Sequence, residues 1–296
     1  MAHLPTAAPI PQTARVLDGR ARAAEIRTAV ARRSREFQRI AGRPPCLVTL
    51  SVGDDPAETA YARAKARAAV EAGVTYRDLH LTADAGEAAV VRAIQALNGD
   101  ATVDGVLLAM PLPPGYDRRR VTAELDPARD VDAVTPDSQG RQLSGRAGPR
   151  PATALAALDL IHLAGINLEG VRATVVGRST VVGLPVALLL LAGHATVTIA
   201  HSRTPDLAAV TCEAEVLVCA AGVPALIGPR HIRPGATVID VGITTVGEEG
   251  RIVGDVDFAA AVAVAAAISP VPGGVGPVTT AIILRTTLDL AEQRAG

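Results

Sequence analysis

Hydrophobic and polar positions along the chain fall into alternating helix-like and strand-like patterns. Residues 17–41 place alanine and aliphatic side chains at helical spacing among arginines, and the pattern breaks at Gly42 and Pro44-Pro45. Residues 46–52 (CLVTLSV) form a short run of strand-favouring residues leading into Gly53-Asp54-Asp55-Pro56. There Asp55 is a good N-cap, Pro56 a good first helical residue and Glu58 a capping-box partner, so a helix is predicted to open and to run to Gly73. A strand over 76–81, a helix over 87–97 and a buried strand over 104–110 follow. The βαβα order implies a mostly parallel sheet with helical crossovers.

Residues 111–150 are rich in proline, glycine and charge, with little periodicity beyond a short helical piece at 119–125. They read as functional loop plus domain connection. A helix over 153–163 leads into a second alternation: strands over 173–176, 195–200, 216–220 and 237–241, and helices over 182–192 and 206–211. That half is predicted to be Rossmann-like. After the turn-rich segment 270–277, a last helix over 279–292 has no strand of its own and is expected to brace the first domain. The chain shows no internal repeat.

Composition narrows the classes. The 296 residues suggest about two domains, and 49% hydrophobic with 20% charged residues is ordinary globular usage, against disorder or a fibrous repeat. A formal charge of -1 gives no overall attraction to nucleic acid or an anionic membrane. The longest apolar stretch, 181–193, is interrupted by Gly183 and Pro185 and is shorter than the roughly 20 residues of a membrane span. The first 13 residues carry three prolines and no signal-peptide pattern, so they read as a disordered tail of a cytoplasmic protein. Cys46, Cys212 and Cys219 have no metal-ligand spacing and read as small core residues; no metal site is expected.

Charge identity matters more than net charge. Lysine and arginine together number 29, yet Lys65 is the single lysine. A guanidinium stays protonated whereas an amine can exchange protons, so a lysine surviving this arginine bias is a candidate for chemistry. Tyr61 lies one helical turn before it, on the same face, just beyond the carboxyl end of a predicted strand. The alternative is a solvated lysine on an exposed helix. In the second half the strand ending at Val176 runs into Gly177-Arg178-Ser179 and Gly183 at a helix start, a turn suited to phosphate or an ordinary strand-to-helix connection. About 20 residues on, where NAD-binding folds place an acid, stand His201, Ser202 and Arg203. A hydroxyl and a cation, joined by Arg178, suit a 2'-phosphate and favour NADP. Asp130 and Asp132 could serve a cation or a guanidine-like substrate edge, or form a solvated turn. Residues 270–277 (PVPGGVGP) let backbone approach a ligand or make a rigid hinge.

Together these motifs resemble one family. The run GDDP with Tyr61-x-x-x-Lys65, Pro111-Leu112-Pro113, Asp130-Val131-Asp132, VVGRSxxVGxP at 175–185, ATVTxxHSRT at 195–204, IDVGI at 239–243, GDVDF at 254–258 and PVPGGVGPxT at 270–279 are similar to those of the FolD family. These are bifunctional methylenetetrahydrofolate dehydrogenases and methenyltetrahydrofolate cyclohydrolases, and the match is collinear from about Leu17 to Ala291.

The resemblance implies an α/β homodimer whose subunits have two domains. One is an N-terminal folate-binding catalytic domain (15–152 with 279–296, after a tail at 1–14), the other a C-terminal Rossmann-like NADP-binding domain (153–278). It implies oxidation of 5,10-methylenetetrahydrofolate with NADP and hydrolysis of the methenyl product to 10-formyltetrahydrofolate. By position Lys65 is the central catalytic residue, Tyr61 stacks on or orients the folate, and Asp132 holds the pterin. Gly177, Arg178, Ser179, Ser202 and Ile243 bind NADP, with Arg203 beside them. Leu108, Ala109, Met110, Pro272, Gly273, Gly274, Val275 and Gly276 border the substrate. Three departures stand out: Ala109 replaces a glutamine that hydrogen-bonds the lysine, Ala133 follows Asp132 where the family has glycine, and Pro151-Ala152-Thr153-Ala154 replaces PCTP. The dehydrogenase step is expected to survive these changes more readily than the cyclohydrolase step. A specialised folate one-carbon paralogue of secondary metabolism and a catalytically silent folate or NADP binder are the alternatives.

Overall fold

The computed structural model describes residues 13–53, 56–247 and 250–295. The expected tail therefore lies mostly outside the described residues, as do the Asp55 cap and the side chain of Glu58. The first half holds β1 (Arg15–Val16), α1 (Gly19–Ala41), β2 (Cys46–Val52), α2 (Pro56–Glu71), β3 (Thr75–Leu81) and α3 (Glu87–Gly99). It continues through β4 (Gly105–Leu108), α4 (Arg118–Ala123), α5 (Pro136–Leu143) and α6 (Ala152–Leu163). Then come β5 (Arg172–Val176), α7 (Gly183–Ala192), β6 (Thr196–Ala200), α8 (Leu207–Thr211), β7 (Val216–Cys219) and β8 (Thr237–Asp240). The chain ends with β9 (Thr244–Val246), β10 (Arg251–Val253), α9 (Phe258–Ala261), β11 (Ala267–Ile268) and α10 (Val275–Ala295).

These elements divide into two compact units. One contains Arg20–Ala156 and the chain from Pro277; the other contains the chain up to Gly19 and Ala157–Gly276. In the first, β3-β2-β4 form a parallel sheet with β2 in the middle. Alternate residues of β2, namely Cys46, Val48 and Leu50, pack with Val106 and Leu108 of β4 against Val90, Ile94 and Leu97 of α3. Spacings of four and three put those α3 residues on one stripe, and each buried aliphatic contributes roughly 1.5–3 kcal/mol.

In the second unit six strands pair in the order β1-β11-β8-β7-β5-β6, every pair parallel. Strands β5, β7 and β8 are buried almost throughout, as expected where both faces of a parallel sheet are covered. β6 ends the sheet and is exposed along most of its length. The chain passes from β5 out to β6 and back across β5 to β7, so the strand order reverses at β5, the place where such sheets bind ligands at their carboxyl ends.

Several expectations change. The segment read as loop contains α5, opened by Thr135, whose hydroxyl accepts from the Ser138 N–H, with Pro136 at the first helical position. β9 and β10 form an antiparallel hairpin, and β1 and β11 are two-residue strands, all too short for a readable period. The last helix starts at Val275, so the turn-rich segment shrinks to a bend closed by the Gly274 N–H donating to the Pro270 carbonyl. Cys46 and Cys219 are buried but Cys212 is exposed, which removes it from the core. No helix among the described residues is long and apolar enough to cross a membrane.

Candidate active site

Lys65 sits in line with the buried stripe of α2, three, four and seven residues before Ala68, Ala69 and Ala72, while Arg63 and Arg67 point to solvent. It is only 6% exposed, which overturns the solvated-lysine alternative. Tyr61 is half-buried one turn earlier. A buried cation on an otherwise alanine-rich face is costly unless it serves a site or a partner.

Asp130 and Asp132 divide their work. The Val131 N–H donates to the Val106 carbonyl at 3.4 Å, laying this segment beside β4. Asp130 is fully buried and accepts from the N–H groups of Val134 (3.0 Å) and Thr135 (2.9 Å), closing the turn that leads into α5. Asp132 accepts at Oδ1 from the Ala152 N–H at 2.7 Å and keeps part of its surface open. Burial pushes its carboxyl up to about 7, with the Asp130 charge adding to the rise and the Ala152 bond and the nearby Lys65 charge opposing it. Near neutrality this carboxyl can therefore either donate or accept. Ala133 follows in the left-handed region at φ 51, a conformation that suits glycine and strains alanine. The solvated-turn alternative does not describe this segment.

Leu108 ends β4 in the core, and the ladder runs one residue further as the Ala109 N–H donates to the Leu50 carbonyl at 2.9 Å. Ala109 and Met110 are half-buried, and the Met110–Pro111 peptide is cis. Tyr61, Lys65, Leu108, Ala109, Met110 and Asp132 thus all belong to one unit. Pro272, Gly273, Gly274, Val275 and Gly276 belong to the other, with Gly273 at φ 112 after a cis Val271–Pro272 peptide.

That second unit also holds the candidate cofactor residues. Val176 of β5 lies between Ala200 of β6 and Cys219 of β7, and the Gly177 N–H donates to the Ala200 carbonyl at 2.8 Å. Gly177 has φ 126, and a Cβ there would stand 2.2 Å from the Ala220 carbonyl oxygen; a Cβ at Gly183 would stand 2.3 Å from the Gly177 oxygen. The turn therefore closes only with glycine at both ends. Ser179 closes the turn before α7, accepting at Oγ from the N–H groups of Val182 (3.1 Å) and Gly183 (3.3 Å), which leaves its hydroxyl proton to donate elsewhere. Residues 201–204 form a tight turn in which His201 Nδ1 accepts from the Arg203 N–H and Thr204 Oγ1 from the His201 N–H. Arg178, Ser202 and Arg203 are exposed at the ends of the paired strands β5 and β6. Among the described residues neither guanidinium has a carboxylate partner. Two unneutralised cations and a hydroxyl form a donor set that fits a phosphate monoester on a ribose. Ile243, 47% exposed, follows the end of β8.

Sequence reasoning passed over two carboxylates in this unit. Asp240 and Asp255 lie in the motifs IDVGI and GDVDF and are buried, and among the described residues their carboxylates bond only to backbone N–H groups. The available signals were an aspartate at the end of the apolar run 237–241 and another directly after Gly254.

Known proteins match both parts of the chain. Residues 17–132 match the catalytic domain of tetrahydrofolate dehydrogenase/cyclohydrolase, and residues 151–295 match its NAD(P)-binding domain. The bifunctional protein FolD 3 of Rhizorhabdus wittichii is 48% identical over 287 residues, covering 96% of this chain and 94% of its own. The FolD protein of a Roseiflexus species is 46% identical over 282 residues, covering 95% and 98%. Among solved structures, the Trypanosoma brucei methylenetetrahydrofolate dehydrogenase-cyclohydrolase complexed with NADP and inhibitor superposes with a TM-score of 0.92 at 36% identity, covering 95% of this chain and 98% of that one. The Campylobacter jejuni bifunctional enzyme gives a TM-score of 0.90 at 35% identity, covering 94% and 99%. With both halves matched and relatives this similar along nearly its full length, the chain belongs to the tetrahydrofolate dehydrogenase/cyclohydrolase family.

Proposed function

We propose that this protein oxidises 5,10-methylenetetrahydrofolate with NADP and hydrolyses the resulting methenyl group to 10-formyltetrahydrofolate. The observation that carries the reading is the burial of the chain's single lysine, Lys65, close enough to Asp132 for their charges to interact. Tyr61 orients the folate from the same face of α2. Asp132, able to donate or accept near pH 7, holds the amide and amidine edge of the pterin. Lys65 Nζ exchanges a proton with the water that attacks the methenyl carbon. Leu108, Ala109 and Met110 border the substrate.

NADP, when bound, supplies the hydride acceptor. Gly177, Arg178 and Ser179 receive its pyrophosphate at the start of α7, Ser202 and Arg203 join Arg178 on the 2'-phosphate, and Ile243 packs against the nicotinamide side. The protein works as a homodimer: β6 is an open edge strand carrying Ile199 at 39% exposure, with Leu191 of α7 at 59%, and such an edge is a template for pairing with a second copy. Three free cysteines fit a reducing cytoplasm.

The test follows NADPH and the methenyl chromophore separately in purified protein supplied with NADP and 5,10-methylenetetrahydrofolate. Both activities are expected in the parent and hydrolysis is expected to vanish in Lys65→Met. Ala109 brings no amide to the lysine, so Ala109→Gln is expected to raise methenyl hydrolysis relative to NADPH formation by at least about tenfold, within the range of general acid–base effects. A parent that forms no NADPH overturns the reading.

A further inference from the structure

Two carboxylates outside the substrate and phosphate contacts hold the carboxyl ends of β7 and β8. Asp255 accepts at Oδ2 from the N–H groups of Ala221 (2.6 Å) and Gly222 (3.0 Å), and at Oδ1 from Val223 (2.8 Å). It thereby gathers three successive amides of the loop that leaves β7. Asp240, the last residue of β8, accepts at Oδ1 from Gly242 and Asp255 (both 3.0 Å) and at Oδ2 from Val256 (2.9 Å), while its own N–H donates to Ser269 Oγ at 2.8 Å. Asp240 is 3% and Asp255 0% exposed. Space for them is made by glycine: a Cβ at Gly242 would stand 2.2 Å from Asp255 Oδ1, and one at Gly254 1.9 Å from Asp240 Oδ2.

Burying two neighbouring carboxylates is expensive, and apolar packing would close these loops more cheaply. A carboxylate offers what an apolar side chain cannot, which is enough acceptor positions to fix three N–H groups at once. The loops so fixed are the ones facing a dinucleotide at the strand ends. The β7 loop begins at Ala220, whose carbonyl sets the clearance at Gly177, and the β8 loop carries Ile243 directly after Gly242.

We propose that Asp240 and Asp255 are positioning residues for the cofactor, acting through the backbone of the β7 and β8 loops without touching NADP. This rests on the NADP reading above. In full-length protein, Asp255→Asn and Asp240→Asn each replace one carboxylate oxygen by a donor facing a donor. Each is expected to weaken NADPH binding, followed by nicotinamide fluorescence, and to raise the KM for NADP by about tenfold, the value of one charge-assisted hydrogen bond. The KM for 5,10-methylenetetrahydrofolate is expected to stay within about twofold, a split that general loosening of the fold would not produce. Should a carboxamide variant not melt cooperatively, Ser269→Ala, which removes the acceptor for the Asp240 N–H, carries the same split at smaller amplitude. Unchanged NADPH affinity in a folded variant, or equal losses for both substrates, overturns the proposal. A parent protein that does not bind NADPH overturns the NADP reading itself.

Discussion

Replacing Gly177 by alanine tests the turn between β5 and α7, the proposed phosphate site, at its tightest point. Two penalties combine there. At φ 126 an L-residue is strained by roughly 1–3 kcal/mol. The added Cβ would also lie 2.2 Å from the Ala220 carbonyl oxygen, well inside contact distance. That carbonyl cannot simply yield, because the Ala220 N–H is tied to the Val176 oxygen at 2.7 Å, continuing the β5–β7 ladder. Relief therefore requires moving the turn or breaking a ladder bond, for a combined cost of about 3 kcal/mol or more. The expected melting temperature falls by roughly 6–12 °C on the scale for domains of this size. Movement of the Gly177 and Arg178 amides should weaken NADPH by roughly 100-fold or more, equivalent to about 2.7 kcal/mol. Gly165→Ala is the control: its φ of 85 brings strain, but nothing lies within 4 Å of the new Cβ, so about 1 kcal/mol and no loss of NADPH affinity are expected. Calorimetry and fluorescence titration on both variants decide the matter. A Gly177→Ala protein that melts within about 2 °C of the parent and binds NADPH normally refutes the steric reasoning.

Asp132 gives a pH signature. Its folded-state carboxyl lies at about 7, above the ordinary 3.8, so its contribution to stability is fully present below about pH 4 and is lost as pH rises through 7. Asp132→Asn cannot ionise; it should be more stable than the parent by about 1–2 kcal/mol at pH 8, allowing for solvent at the exposed part of the side chain, and indistinguishable at pH 4. Melting curves showing the same difference at both pH values would contradict this assignment. Ala133→Gly relieves the strain at φ 51 and is expected to stabilise the protein by about 0.5–1 kcal/mol net of the entropy glycine adds to the unfolded chain, read as a higher denaturation midpoint at unchanged slope.

What the amino-acid order disclosed, and what it hid, follows from the range of the interactions. Strands such as β2 and β5 and helices such as α3 are written in runs long enough to show a period, and the turn at Gly177 is local. Lys65 was visible because an arginine-rich composition left it isolated. The hairpin β9–β10 and the short paired strands β1 and β11 span two or three residues, below what any periodicity can reveal. Thr135-Pro136 was a readable helix start inside a segment whose proline and charge content masked it. The work of Asp240 and Asp255 is set by amides up to 34 residues away, which nothing in the adjacent sequence encodes. Cys212 shows the opposite failure, a residue type commonly buried that here faces solvent.

The division of the chain bears on how the protein is made. Each unit is assembled from two separated stretches, and the chain passes between them at residues 19–20, 156–157 and 276–277. β1, the edge partner of β11, emerges from the ribosome some 250 residues before it, and α10 completes the other unit only after residues 157–276 have been made. Most multidomain chains can fold one unit while the next is still being translated. Here neither unit can finish early, so a stalled or prematurely terminated product that stops before Pro277 leaves an incomplete core for the cell's quality-control machinery to clear.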